Sequence, residues 1–222
     1  MYYSKIKLQI IDKLYLKNPD SSELGNNIVK YGIELINELG FEKFTFKKLS
    51  AKIASPESSI YRYFKNKHQF LLYLVNWYWS WLDYKITIKI TNITSNKEQL
   101  KRAIQVVSSP LWEDKSFSYV NEKLLNNIII EESVKAFHTK EIDTENEKGL
   151  FDSYKIIINR LAEIILRINS NYRFPHTLIT TVIEGSLQQQ YYKKHLPTLV
   201  DSNDSKNLTN FYTDLVLKTI LC

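Results

Sequence analysis

The sequence predicts an all-α fold in two parts, and three observations carry that expectation. Only 5 Gly and 5 Pro occur in 222 residues, too few turn formers for a sandwich of short strands. Apolar residues recur at steps of three and four through most of the chain, the period of one helix face. Residues 44–67 read as two short capped helices joined by a tight turn, unlike the long helical segments after residue 85.

The elements follow in order. Residues 5–17 alternate, with Ile6, Leu8 and Ile10 between Lys5, Lys7 and Gln9, then Leu14 and Leu16 between Lys13 and Lys17. Period two suggests a small hairpin turning near Ile11-Asp12; Ile6, Ile10 and Leu14 also fit a helix. Asn18-Pro19-Asp20 ends this arm, residues 1–20. A first helix starts at Ser21 or Ser22, either of which can cap it. It carries the stripe Ile28, Gly32, Leu35, Ile36 and Leu39, and Gly40 stands where a helix C-terminus favours positive φ. Thr45 caps a second helix running to about Ile53. Ala54-Ser55 turns the chain, Ser55 caps a third helix, and Pro56 fits its first position, where no N–H is needed. That helix ends near Phe64, and a long fourth spans 67–88. Further helices are expected over 96–109, 117–137, 147–169, 176–195 and 205–221, with a polar loop over 138–146.

Charge is uneven. Residues 1–70 carry a net +5 and residues 71–222 a net +1, so the basic character belongs to the first third. Within residues 43–67, Lys43, Lys47, Lys48, Lys52, Arg62, Lys65 and Lys67 meet one acid, Glu57. Such a surface neutralises phosphates and points to a polyanion partner. The single cysteine, Cys222, cannot form an internal disulfide or a cysteine metal site. The N-terminus lacks a signal-peptide pattern and no run is long enough to span a membrane. A cytoplasmic protein with no membrane association is the expectation.

Residues 46–64 satisfy three demands of major-groove reading. Phe46, Leu49, Ile53, Ile60 and Phe64 can lock two helices together. Lys47, Lys48 and Lys67 are placed to hold phosphates. Glu57, Ser58, Ser59, Tyr61 and Arg62 can reach base edges from the front of the second helix: arginine pairs with guanine, glutamate accepts from cytosine N4, and the small serines permit close approach. Glu57 at a helix N-terminus also fits a plain macrodipole role.

At this point the sequence resembles the TetR family of transcriptional regulators, over Ile28 to about Leu74. The resemblance rests on the Gly40-Phe41 helix ending, Thr45, the block Ile60-Tyr61-Arg62-Tyr63-Phe64-Lys65-Asn66-Lys67, and the leucine-rich start of the fourth helix. It implies an N-terminal three-helix DNA-binding domain with a helix-turn-helix, residues 21–66. A C-terminal helical ligand-binding and dimerisation domain, residues 67–222, follows. It also implies that Lys47 contacts the DNA backbone or a base, that Glu57, Ser58 and Ser59 lie at the base-reading front, and that Tyr61 and Lys67 contact phosphate. The implied partners are a palindromic double-stranded operator and a second copy of the chain. The sequence departs from the family pattern at Ala54-Ser55, where Gly and an apolar residue are usual, and at Pro56-Glu57, which puts an acid on the reading face.

The remaining two thirds offer no catalytic set. His68, His138, His176 and His195 are scattered, and no Gly-rich phosphate loop or nucleophile elbow occurs. Glu131, Glu132, His138, Glu141 and Asp143 lie close in sequence, but a Glu131–Lys135 surface pair explains them more simply than a metal. Neither enzyme activity nor a metal or cofactor is expected. Trp77, Tyr78, Trp79 and Trp81 crowd one helix; core packing is the plain reading. The sharper expectation is that Trp77 or Trp81, with Trp112, Tyr119, Phe137 and Tyr154, lines a cavity for a small apolar or aromatic ligand. Gly185-Ser186 amid Val182 and its apolar neighbours lets another helix approach closely. With Phe211 and Leu215 on the last helix, they are expected to build a homodimer interface. The expected function is a ligand-responsive repressor; the alternative is a related DNA-bound architectural or protein-interaction factor without an inducer.

Overall fold

A computed structural model describes residues 8, 10–109, 119–201 and 205–221. Helices are joined by turns, and no strand occurs among the described residues. The all-α expectation holds. The chain divides into two compact units. The first comprises the described residues up to Ser80 and those from Tyr119 to Phe151; the second comprises those from Trp81 to Ser109 and from Asp152 onward.

In the first unit, α1 (Glu23–Leu39) starts at Ser22, whose Oγ accepts from the Gly25 N–H at 3.1 Å. It stops at Gly40, whose φ of 76° lets its N–H close onto Ile36 O at 2.8 Å. α2 (Phe46–Lys52) begins at Thr45, whose Oγ1 accepts from the Lys48 N–H. α3 (Glu57–Tyr61) is shorter than expected and starts one residue later. Pro56 is its N-cap and no side chain caps it, so Ser55 does not take the expected role. The turn between them puts Ala54 at φ 49°, the left-handed region in which glycine is usual.

α4 (Lys67–Ile90) is buried continuously from Phe70 to Trp79. Phe44, Phe46, Phe64, Phe70 and Tyr73 form one aromatic cluster, with Phe70 meeting Phe44, Phe46 and Phe64 at centroid distances of 5.6, 6.4 and 4.9 Å. Gly32 makes room for it: a Cβ there would lie 2.4 Å from Phe70 Cζ. This cluster joins the helix-turn-helix to α4 through rigid rings, which limits how far α3 can drift.

α6 (Glu122–Glu132) packs on α1. Asn37 Nδ2 donates to Leu124 O at 2.6 Å, and Asn127 Nδ2 donates to Asn37 Oδ1 at 3.3 Å. The expected 117–137 helix is instead α6 and α7 (Val134–Phe137), parted at Ser133. The expected 138–146 loop is corrected as well. It contains α8 (Ile142–Glu147), whose Glu145 meets His68 Nε2 at 2.8 Å. Where a hairpin was expected, residues 12–14 form a 3-10 turn, and Leu16 N–H donates to Tyr63 O. Residues 1–7 and Gln9 lie outside the described residues.

The second unit holds the last turns of α4 with α5 (Asn96–Ser108), α9 (Asp152–Ile168), α10 (Pro175–His195) and α11 (Ser205–Leu221). α9 buries Ile157, Leu161, Ile164 and Ile165. Arg160 clasps Asp83 with two hydrogen bonds, 2.7 and 3.1 Å. No helix is long and apolar enough to cross a membrane among the described residues.

Candidate nucleic-acid interface

α2 and α3 carry the residues expected to read DNA. Phe46, Leu49, Ile60 and Phe64 are buried between them and α4, which fixes the pair. Lys47, Lys48, Ser58, Tyr61 and Arg62 are exposed, while Glu57 and Ser59 are half-buried. The Tyr61 ring leans edge-on against Phe46 at 5.2 Å, so its exposed hydroxyl end is held out from a fixed base. Among the described residues neither Lys47 nor Arg62 has an ion-pair partner. Lys48 Nζ donates to Lys43 O at 2.8 Å, which stiffens the approach to α2 and leaves its charge in place.

Not every cation of this segment faces outward. Lys52 lies 3.6 Å from Glu34 and 3.9 Å from Glu38, so two acids of α1 offset it. Lys67 donates to Phe41 O and Glu42 O, both at 3.3 Å, and sits 4.8 Å over the Phe41 ring. Tyr63 is buried, and its hydroxyl shares a 2.7 Å hydrogen bond with Ser22, the cap of α1. Hydroxyls and cations on a short helix pair of this kind can meet phosphate oxygens and base edges.

Residues 28–74 match the model of the bacterial regulatory proteins of the tetR family. The match covers the helix-turn-helix segment and not the rest of the chain. It marks α2 and α3 as a helix-turn-helix of the kind carried by DNA-binding transcriptional regulators. Solved structures share the fold of this chain. A tetR-family regulatory protein from Rhodococcus RHA1 has a TM-score of 0.64 at 11% identity, over 90% of this chain and 97% of that one. AibR in complex with isovaleryl coenzyme A and operator DNA has a TM-score of 0.59 at 16% identity, over 85% and 95%. The fatty acid degradation regulator FadR from Bacillus halodurans has a TM-score of 0.57 at 16% identity, over 86% and 93%. At these identities the likeness is one of fold. Among curated protein sequences, none matches significantly.

The aromatic residues expected to line a ligand cavity are divided. Trp77, Tyr119 and Phe137 belong to the first unit, Trp81 and Tyr154 to the second, and Trp112 lies outside the described residues. Tyr119 donates a short hydrogen bond to Asp20 and neighbours Tyr73 and Trp77. Burial, then the Asp20 carboxylate, holds its phenol well above the usual value. Phe137 stacks on Phe151 at 5.1 Å. Tyr154 donates to Glu184, and Trp81 is fully buried with Lys85 over its ring.

The expected interface residues all belong to the second unit and differ in exposure. Val182 and Ser186 are fully buried within the second unit. A Cβ on Gly185 would lie 2.5 Å from the Tyr212 hydroxyl, so its small size admits α11 of the same chain. These three are therefore spent on intrachain packing. Phe211 is 58% exposed and Leu215 half-buried, whereas Tyr212, Val216 and Ile220 form the buried face of α11.

Sequence reasoning missed Glu132. It is buried at the end of α6 and accepts from the Phe41 N–H at 2.9 Å. No local pattern marks it, because its partner lies 91 residues away.

Proposed function

We propose that the chain is a cytoplasmic, ligand-responsive repressor that binds a palindromic operator as a homodimer. The observation that carries the DNA reading is the exposed row of Lys47, Ser58, Tyr61 and Arg62, with Ser59 half-buried beside it, on two helices fixed by a shared aromatic core. In this reading Ser58 and Ser59 let α3 enter the major groove. Arg62 pairs with a guanine edge, Lys47 and Lys48 hold phosphates, Tyr61 touches phosphate or a thymine methyl, and Glu57 selects cytosine. Two half-sites about 34–36 Å apart follow from two-fold symmetry.

A homodimer is supported by the apolar face that α11 leaves outward. Phe211 and Leu208 line a groove of about 160 Å³ with Leu199 and Val200, and Phe211, Leu199 and Leu196 are each about half exposed or more. Surface of that kind is what a second copy covers. Light scattering at micromolar concentration should give twice the chain mass; a monomer would contradict this.

Ligand response is supported by the crowd of buried aromatics and by the fold shared with AibR, seen bound to isovaleryl coenzyme A. The effector would stabilise one of two conformations and lower DNA affinity by its preference for that state. Trp77 and Trp81 report it: binding of a small apolar acyl or aromatic compound should quench their fluorescence and release DNA over the same concentration range. Quenching with unchanged DNA affinity would instead favour a DNA-bound factor without an inducer.

A further inference from the structure

The turn between α1 and α2, residues 40–43, is gripped from two sides. From one side comes Glu132, buried at the end of α6, whose Oε1 accepts from the Phe41 N–H at 2.9 Å. Lys135 on α7 lies 2.7 Å from Glu132 Oε2 and 3.2 Å from Glu42 Oε1, so it bridges the carboxylate to the turn's own acid. From the other side comes Lys67, the first residue of α4, which donates to Phe41 O and Glu42 O and covers the Phe41 ring. Lys48 reaches back to Lys43 O. The polar groups of the turn are thus held by side chains from α2, α4, α6 and α7.

Geometry gives the grip its consequence. Gly40 sits at φ 76°, and the next residues lead directly to the Thr45 cap of α2. Phe41 and Phe44 are both buried, so the turn cannot shift without moving α2, and α3 packs on α2. Glu132 touches the turn from the α6 side, through the Phe41 N–H. Burial alone would lower the Lys135 ammonium, but its hydrogen bonds to Glu132 and Glu42 more than reverse this and hold it above the usual lysine value.

We infer that Glu132, Lys135 and Lys67 are positioning residues for DNA binding, clamping the 40–43 turn so that α2 and α3 are presented to the duplex in one orientation. Lys67 in this role is a strut to two carbonyls, not a phosphate contact. The clamp also makes α6 and α7 the elements through which the rest of the first unit can set DNA affinity. The inference rests on the DNA-binding reading proposed above.

The test uses the full chain and the tightest duplex that the wild type recovers from a randomised library. Affinities of wild type, Glu132→Ala, Glu132→Gln, Lys135→Ala and Lys67→Ala are measured across a salt series, with helicity and melting recorded for each. Glu132→Ala leaves a buried N–H unsatisfied and should weaken binding roughly tenfold to hundredfold, with the slope of log K against log salt unchanged. Glu132→Gln keeps an acceptor for Phe41 and should recover most of that loss, which a general packing defect would not allow. Lys135→Ala should fall between the two. Lys67→Ala should weaken binding without changing the slope. A slope reduced by about one would make Lys67 a phosphate contact and overturn its role as a strut. Wild-type affinity in folded Glu132→Ala would overturn the clamp. Failure of the wild-type chain to select any duplex would overturn the DNA-binding reading, and the clamp with it.

Discussion

The two units differ in how their polar groups are spent. In the first, side chains reach across long stretches of sequence to fix backbone: Glu132 to Phe41 N–H, Asn37 to Leu124 O, and Asn76 to Leu150 O at 2.6 Å. In the second, apolar helix faces are joined mostly by side-chain pairs, Arg160 to Asp83 and Ser108 to Thr209, with Asn169 Nδ2 donating to Ile220 O at 2.8 Å. The second unit also leaves large apolar side chains outside, among them Phe211, Leu199 and Phe174. The first unit fixes the turns that lead into α2 and α3, and the second leaves apolar surface exposed.

If that contrast is right, its largest consequence lies in the aromatic cluster. Phe70→Ala should destabilise the first unit by about 3–5 kcal/mol, because the ring is fully buried against three others and Gly32 offers nothing to refill the space. Denaturant unfolding measures this, and a loss below 1 kcal/mol would show the cluster to be loosely packed.

The second unit has its own steric point of closure. Gly185→Ala forces a Cβ against the Tyr212 hydroxyl and should cost about 1–3 kcal/mol. Tyr212→Phe in the same background should relieve part of it; no relief would place the strain elsewhere.

Alkaline titration reaches both units, since burial also holds Tyr154 and Tyr212 of the second above the usual tyrosine value. Tyr73 and Tyr78 of the first unit are held above the usual tyrosine value, first of all by burial. The native state therefore keeps protons that the unfolded chain releases above about pH 10. Their contribution is whole below that pH and declines as pH rises beyond it, by up to about 1.4 kcal/mol per unit for each tyrosine. Tyr78→Phe should flatten the decline, and an unchanged pH profile would remove Tyr78 from the account.

Smallest of all is the surface pair Lys218–Asp214 of the second unit, whose side chains are both largely exposed. Asp214→Ala should change stability by less than about 0.5 kcal/mol. A larger loss would mean that α11 relies on its charges more than on the buried Tyr212, Val216 and Ile220.

Local signals made much of the first unit readable. Thr45 and Ser22 cap, Gly40 takes positive φ, and the 60–67 block turns into α4 where the spacing said it would. α8 was hidden because its polar residues look like loop until Glu145 meets His68, 77 residues away. Which side of α11 turns inward was not legible, because Phe211 and Tyr212 are equally apolar in sequence and it is Tyr212 that packs against Gly185. At the candidate interface the outward residues were legible from exposure-prone types on short helices. The destination of Lys67 was not, since the carbonyls it meets are 25 and 26 residues back.

The central claim is that α2 and α3 read a DNA sequence, and selection from a randomised duplex library by the full-length chain tests it most directly. The account predicts enrichment of a two-fold symmetric site with half-sites about one helical turn apart, and loss of preference at one position per half-site in Arg62→Ala. Recovery of unenriched duplexes by the folded wild-type protein would contradict it.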